Sequence, residues 1–316
     1  MINQNRIKVY HFINYQRNDL INYLSKPLHN NSLICLDLED SVQDVFMPEN
    51  NAQLKQLARN TLREIFVSQN YPDVKWSIRL NSLNSNYFEA DINLLRELKS
   101  PTALHSLLLP KTESGDEIKN FTAILQNIKL NVEEIIPIIE TGKGFDNIES
   151  ILGLNDIKIR RVVFGHCDFN YDNNIFPFFH QNSREYWDWI QRLYSAAKLA
   201  GKEFVNSAYL KLNDNAGFTT MLSRLNEVCN GNFGQVALNY KQVDLCRTFK
   251  SARKSLNGFD KYLYGKEIQI YAENIVKDFE SNNECKGFSI AGKIRNLISP
   301  HEYSAAKKYL MTRDGN

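Results

Sequence analysis

The sequence predicts an α/β fold, a parallel (β/α)8 barrel over residues 1–250 with a helical C-terminal extension over 251–316. Three observations carry that expectation. Eight short apolar runs recur along the chain, stretches with helical spacing lie between them, and several runs end on a charged residue. Alternating strands and helices argue for a parallel sheet, and eight strands can close a barrel. Barrels often reach the length of this 316-residue chain as one unit.

The strand-like runs begin with VYHFI near Val9, LICLDL at Leu33, VKWSIRL at Val74 and LLLP at Leu107. IIPIIE at Ile135, RVVFG at Arg161, FVNSAYL at Phe204 and GQVAL at Gly234 follow. Between the second and third, NAQLKQLARNTLREIF spaces Leu54, Leu57, Leu62, Ile65 and Phe66 along one helical face. REYWDWIQRLYSAAKLAG predicts a helix stopped at Gly201, and FDNIESIL predicts a shorter one. Residues 251–316 hold few strand-like runs and one loop signal, NNECKG, so they read as an extension rather than an independent domain.

Composition excludes several classes. The hydrophobic fraction of 43% suits a globular core. Lys plus Arg number 38 against 36 Asp plus Glu, and a net charge of +2 gives no reason to expect nucleic acid or an acidic membrane as partner. The five cysteines (35, 167, 229, 246 and 285) form no CxxC pair, which argues against a structural zinc site and a secreted disulfide framework. MINQNRIKVYHF lacks the apolar core of a signal peptide. No apolar run approaches the roughly 18 residues of a membrane span. A reducing cytoplasm is the default location.

The chemistry lies at the strand ends. LICL runs into Asp37, Glu39 and Asp40, VKWSI into Arg79 and Asn81, LLLP into Lys111, IIPII into Glu140 and VVFG into Asp168. In a parallel barrel the C-terminal strand ends converge on one face, where active sites sit. Glu140 and Asp168 at neighbouring ends suit one hard divalent cation such as magnesium. They also suit two helix caps or surface acids, and spacing alone leaves those readings even. If the chain is extended at Asp37, then Asp37 and Glu39 share a face. One acid of that cluster can act as a base or orient a metal-bound water. The competing reading is a helix start whose acids complement the dipole. Arg79 can grip a carboxylate or carbonyl in bidentate fashion, or pair with those acids. Lys111 offers a positive charge or a Schiff-base amine, a structural salt bridge being the stronger reading. His166 and Cys167 adjoin, and on a strand they would point to opposite faces, which favours a core Cys and a loop His over a reactive pair. GKG at 142–144 could receive a phosphate on its N–H groups, but it is too short for a nucleotide motif.

Together these strand ends resemble the citrate lyase beta-subunit-like family within the HpcH/HpaI aldolase superfamily. LDLEDSV (36–42), IRLN (78–81), LLPKTES (108–114), IIPIIETGKG (135–144) and FGHCDF (164–169) carry the resemblance in that order and spacing. HFINYQR (11–17) matches the family's first strand more weakly and keeps Arg17, and the likeness runs from about residue 8 to about 310. The resemblance implies a TIM barrel, in a homotrimer or hexamer, that makes or breaks carbon–carbon bonds with magnesium, often on hydroxyacyl-CoA thioesters. It implies Glu140 and Asp168 as metal ligands and Arg79, with Arg17 and Asn81, as substrate-binding residues. Asp37, Glu39, Asp40 and Lys111 would complete the catalytic set. Asp40 is the base candidate because it stands where related aldolases carry a His. The departures fall on the rim: Asn14-Tyr15, His166-Cys167, Asp172-Asn173-Asn174, Asn206, GQVALNY (234–240) and GKIRNLISPH (292–301). The last lacks the Asp that CoA-using members supply to a neighbouring subunit.

The expectation is a magnesium-dependent lyase or aldolase for a small oxo- or hydroxy-acid, free or as a CoA thioester. Two rivals are a free-acid aldolase of the pyruvate-enolate type and a degenerate barrel with a structural or regulatory role. Two acids kept at burial-prone positions argue against the degenerate barrel, since a buried carboxylate is costly unless paired.

Overall fold

The computed structural model describes residues 7–13, 32–68, 74–98, 104–155, 158–250, 258–282 and 287–314. Eight parallel strands close a barrel in chain order: β1 (Lys8–Ile13), β2 (Ser32–Asp37), β3 (Trp76–Arg79), β4 (Leu104–Leu109), β5 (Glu134–Ile139), β6 (Arg161–Phe164), β7 (Glu203–Asn206) and β8 (Gly234–Ala237). Closure is read from β1, whose Tyr10 pairs with Leu33 of β2 on one side and Val236 of β8 on the other. Each strand coincides with one of the eight apolar runs. The runs are apolar on both faces because one face fills the lumen and the other packs under helices. Tyr10, Cys35, Leu108, Ile136, Val163 and Val205 form a lumen core, separate from the larger core under the helices.

The helices of the barrel are α1 (Asn51–Ser68), α2 (Phe88–Glu97), α3 (Gly115–Asn127), α4 (Gly142–Asp146), α5 (Ile148–Leu152), α6 (His166–Asp172), α7 (Arg184–Leu199), α8 (Asn215–Val228) and α9 (Tyr240–Thr248). A full capping box at Ser114 and Glu117 starts α3. Gly201 ends α7 in the left-handed region at φ 65°, as its sequence predicts. The predicted apolar face of α1 needs one correction. Leu57 is 53% exposed, while Ala58 and Leu62 are buried with Lys55 and Arg59. The helix is rotated so that Arg59 reaches the buried Asp91 at 2.8 Å and Lys55 reaches the end of β2.

The C-terminal segment contains α10 (Lys266–Asn282) and α11 (Pro300–Asp314), as its helical spacing predicts. Between them lies an antiparallel hairpin, β9 (Ser289–Ala291) and β10 (Asn296–Ile298), that the sequence did not signal. Three-residue strands are too short to show a period. The segment has a small core of its own, with Phe279 stacked on Tyr303 at 4.2 Å. The hairpin folds back over the barrel mouth. Leu297 N–H donates to Leu210 O at 2.9 Å and Leu212 N–H to Arg295 O at 3.2 Å. Gly287 permits this closure, since a Cβ there would lie 2.0 Å from the Asp40 carbonyl oxygen. Among the described residues no helix is long and apolar enough to cross a membrane, and Cys35, Cys167, Cys229 and Cys246 are free and buried.

Candidate active site

The C-terminal ends of β2 to β6 deliver an ion cluster to the barrel mouth. Asp37 is the last residue of β2 and Arg79 the last of β3, paired in register. Arg79 donates from Nε to Asp37 Oδ1 at 2.7 Å and from its terminal nitrogen to Oδ2 at 2.5 Å, a bidentate fork. Its other terminal nitrogen lies 2.9 Å from Glu39 and 3.7 Å from Asp40. Both Asp37 and Glu39 thus reach one guanidinium. Asp37 also accepts the Glu39 and Ser41 N–H groups, which fixes the turn after β2. Burial would raise the Asp37 carboxyl, but Arg79 and these donors bring it down to about 2.

Lys111 follows β4 in the left-handed region at φ 50°. Its Nζ lies 2.7 Å from Glu39, 3.0 Å from Asp168 and 3.8 Å from Asp40. Burial would depress this ammonium, but the acids around it outweigh that and hold it above the ordinary lysine value. An amine so held is a poor Schiff-base nucleophile, so the geometry favours the salt-bridge reading. The Lys111 N–H donates to Glu140 Oε1 at 2.8 Å, tying the end of β4 to that of β5.

Glu140 follows β5 and is 1% exposed. A Cβ on Gly165 would lie 2.2 Å from Glu140 Oε2, so glycine after β6 makes room for this carboxyl. Burial, then the nearby Asp168 and Glu39, push the Glu140 carboxyl well above the ordinary range. Burial and then Asp40 push Glu39 up to about 7. Asp168, in the first turn of α6, is held below the usual value despite burial, by His301 and Lys111. Its Oδ1 is buried and receives no well-formed hydrogen bond, only the ionic contacts of Lys111 and of His301 at 3.6 Å. Five carboxyls thus share the mouth with two fixed cations, Arg79 and Lys111. A third, Lys55, approaches through the Leu38 and Glu39 carbonyls at 2.8 and 3.0 Å. The excess of acid fits a divalent cation. Glu140 and Asp168 offer hard oxygen donors. Asp40, Asp168 and His301 form a second grouping whose ligand atoms lie within 4.8 Å of one another.

Two cavities meet at Glu140 and Asp168. The inner one, of about 350 Å³, lies between the lumen and the hairpin and also contains Asp37, Asp40 and Arg79. The outer one, of about 360 Å³, opens beside Asn84, Glu113, Thr141 and His301.

The remaining candidates are placed elsewhere. Asn81 is buried, and its backbone and side-chain N–H groups both donate to Asp91 Oδ2, which directs that amide away from the cluster. Arg17 lies outside the described residues. The GKG stretch offers no phosphate cradle, because Gly142 N–H donates to Asp172 and Gly144 N–H to Thr141. His166 and Cys167 do touch, Sγ to Nε2 at 3.7 Å, because β6 ends at Phe164 and the pair opens a helix rather than extending a strand. The thiol is still no nucleophile: burial, then nearby acids, push it well above its ordinary value. His166 is locked between Ser207 on Nδ1 at 2.8 Å and His180 on Nε2 at 3.0 Å, and burial keeps it neutral. Sequence reasoning missed His301, Lys55 and the spacing role of Gly165. Only His301 left a trace, at the N-terminal turn of the helix that Pro300 begins.

A closed parallel barrel with an ion cluster at the C-terminal strand ends defines a (β/α)8-barrel enzyme site. The sequence profile of the HpcH/HpaI aldolase/citrate lyase family matches residues 12–228, and the chain belongs to that family. A citrate lyase subunit beta-like protein of Deinococcus radiodurans is 29% identical over 139 residues, 44% of this chain and 45% of that protein. The mitochondrial citramalyl-CoA lyase of Homo sapiens is 29% identical over 206 residues, 60% of this chain and 56% of that protein. The chain spans about half the length of these curated relatives. Among solved structures, the citrate lyase beta subunit of M. tuberculosis complexed with oxaloacetate and magnesium aligns at TM-score 0.58 and 19% identity, over 78% of this chain and 98% of that one. The same organism's CitE with magnesium, acetoacetate and coenzyme A aligns at 0.59 and 18% identity, over 98% and 99%. At such identities these likenesses speak for the fold.

Proposed function

We propose that the chain is a magnesium-dependent carbon–carbon lyase or aldolase for a small oxo- or hydroxy-acid, free or as its CoA thioester, working as a homotrimer or hexamer. The acid excess carries the reading: Asp37, Glu39, Asp40, Glu140 and Asp168, all buried, face Arg79 and Lys111. Glu140 and Asp168 would hold the cation, which when bound supplies positive charge for the enolate oxygens. Arg79, fixed by Asp37, keeps its remaining N–H groups for the substrate carboxylate or carbonyl. Asp40 makes the loosest contacts of the acid cluster and lines the inner cavity, which supports it as the group that would accept the hydroxyl proton as the bond breaks. Lys111 spaces Glu39 from Asp168. Arg17 completes substrate recognition in this reading, whereas Asn81 holds the segment after β3 through Asp91 rather than the substrate.

One observation favours a free acid over a thioester. The outer cavity is lined by Glu113, Glu117 and Asp172, and its Lys111 is committed to acids. A CoA phosphate entering there would face these acids, of which Glu113 is already paired with Lys143 at 3.0 Å.

Calorimetric titration of magnesium into wild type and Asp168→Asn, with and without pyruvate or oxaloacetate, tests the proposal. Binding that needs Asp168 and tightens with the oxo-acid supports it. Wild-type heats in the variant would sink it.

A further inference from the structure

The inner cavity is polar at one end only. Beyond the ion cluster its wall is Ile138, Val163, Leu210, Val236, Leu238 and Leu297, from four strands or strand ends and the hairpin. The polar groups on that wall satisfy each other. Ser207 Oγ pairs with His166 and with the Tyr186 hydroxyl, and the second His166 nitrogen is taken by His180. Beyond the cluster the one charged side chain among the described lining residues is Arg295, which is exposed on the hairpin turn. A substrate as small as pyruvate or malate would leave this volume unfilled, and a polar arm would find no partners there.

We infer that the inner cavity binds an aliphatic arm, so that the substrate is a hydroxy-acid whose carbinol carbon carries an alkyl chain. This rests on the lyase reading above. The head of the substrate lies at Arg79 and the acid pair, and the chain runs under the hairpin. Cleavage breaks the bond between the carbinol carbon and the carbon next to the acid-bearing carbonyl. The bond electrons pass to the enolate, the hydroxyl proton passes to Asp40, and Asp40 returns a proton to the enolate carbon to yield the short oxo-acid. The released partner is an aliphatic aldehyde. Leu297 and Leu238 set the room for the chain and are specificity residues rather than catalytic ones.

The test is calorimetry of straight-chain 2-oxo acids from pyruvate to 2-oxooctanoate with magnesium present, on wild type, Asp168→Asn and Leu297→Asp. Leu297 lies on the hairpin and is only half-buried, and Leu238→Gln serves as a second wall variant should Leu297→Asp misfold. Wild type should tighten about fourfold per methylene until the cavity is full, which is about 0.8 kcal/mol for each buried CH₂. A wall variant should flatten that slope. Equal affinity for all lengths overturns the inference and leaves the lyase reading standing. A slope that survives in Asp168→Asn without magnesium supports the cavity and overturns the cation clamp. No binding at any length overturns both. Tighter binding of 2-oxoadipate than of 2-oxohexanoate would make Arg295 an anchor for a second carboxylate and also overturn the aliphatic assignment.

Discussion

Gly165→Ala is the sharpest probe of how the cluster is built. The new Cβ would sit 2.2 Å from Glu140 Oε2, 2.8 Å from its Cβ and 3.2 Å from its Cδ. The carboxyl tip could swing aside, but the Glu140 Cβ is fixed to the end of β5. Moving the tip also strains the 2.8 Å bond from Lys111 N–H. Overpacking of this kind costs about 1–3 kcal/mol. For a chain of this size that is a fall in Tm of about 2–5 °C. The effect on the cation should be larger, because misplacing a ligand or its support typically costs 10- to 100-fold in metal affinity. Differential scanning fluorimetry gives the first quantity and magnesium calorimetry the second. A Gly165→Ala protein with wild-type Tm and wild-type magnesium affinity would refute the claim that this glycine shapes the site.

Arg79→Lys keeps the charge and loses the fork to Asp37, so oxo-acid affinity should fall about 10- to 100-fold with circular dichroism unchanged. Asp37 is depressed from 3.8 to about 2, and at about 1.4 kcal/mol per pH unit this contributes about 2.5 kcal/mol. A depressed acid stabilises above its unfolded pKa, so that contribution is full above about pH 4 and lost as pH falls towards 2. Asp37→Asn should therefore flatten the acid limb of a urea-stability profile between those values, and an unchanged limb would contradict the pairing. Phe279→Ala removes a fully buried ring from the C-terminal core and should cost about 3–5 kcal/mol locally, seen as faster proteolysis of the segment after residue 258.

The sequence revealed the barrel because burial on both faces writes each strand as a continuous apolar run. It also showed which side chains would meet, because chain direction alone brings the ends of β2 to β6 to one rim. What it could not show was side-chain commitment. Nothing in IRLN says that Asn81 will spend its amide on Asp91, a residue ten positions on in a different element. The rotation of α1 was equally hidden, since Leu57 fits an apolar stripe and only the pairing of Arg59 with Asp91 turns it outward. His166 and Cys167 were misplaced for a related reason: a strand boundary shifted by two residues changes which side chains face each other. The hairpin left no mark, being too short for any period.

The closing of the mouth by Gly287 and the hairpin has a consequence for synthesis and turnover. All eight strands and every carboxylate of the cluster precede residue 238, whereas the roof over the inner cavity and His301 come from the final stretch of chain. A chain still emerging from the ribosome can close its barrel with the acid cluster complete but open to water. A chain ended before Gly287 would keep that open state with all eight barrel strands in place. Such a truncated chain should therefore lose activity while it keeps the barrel's circular dichroism.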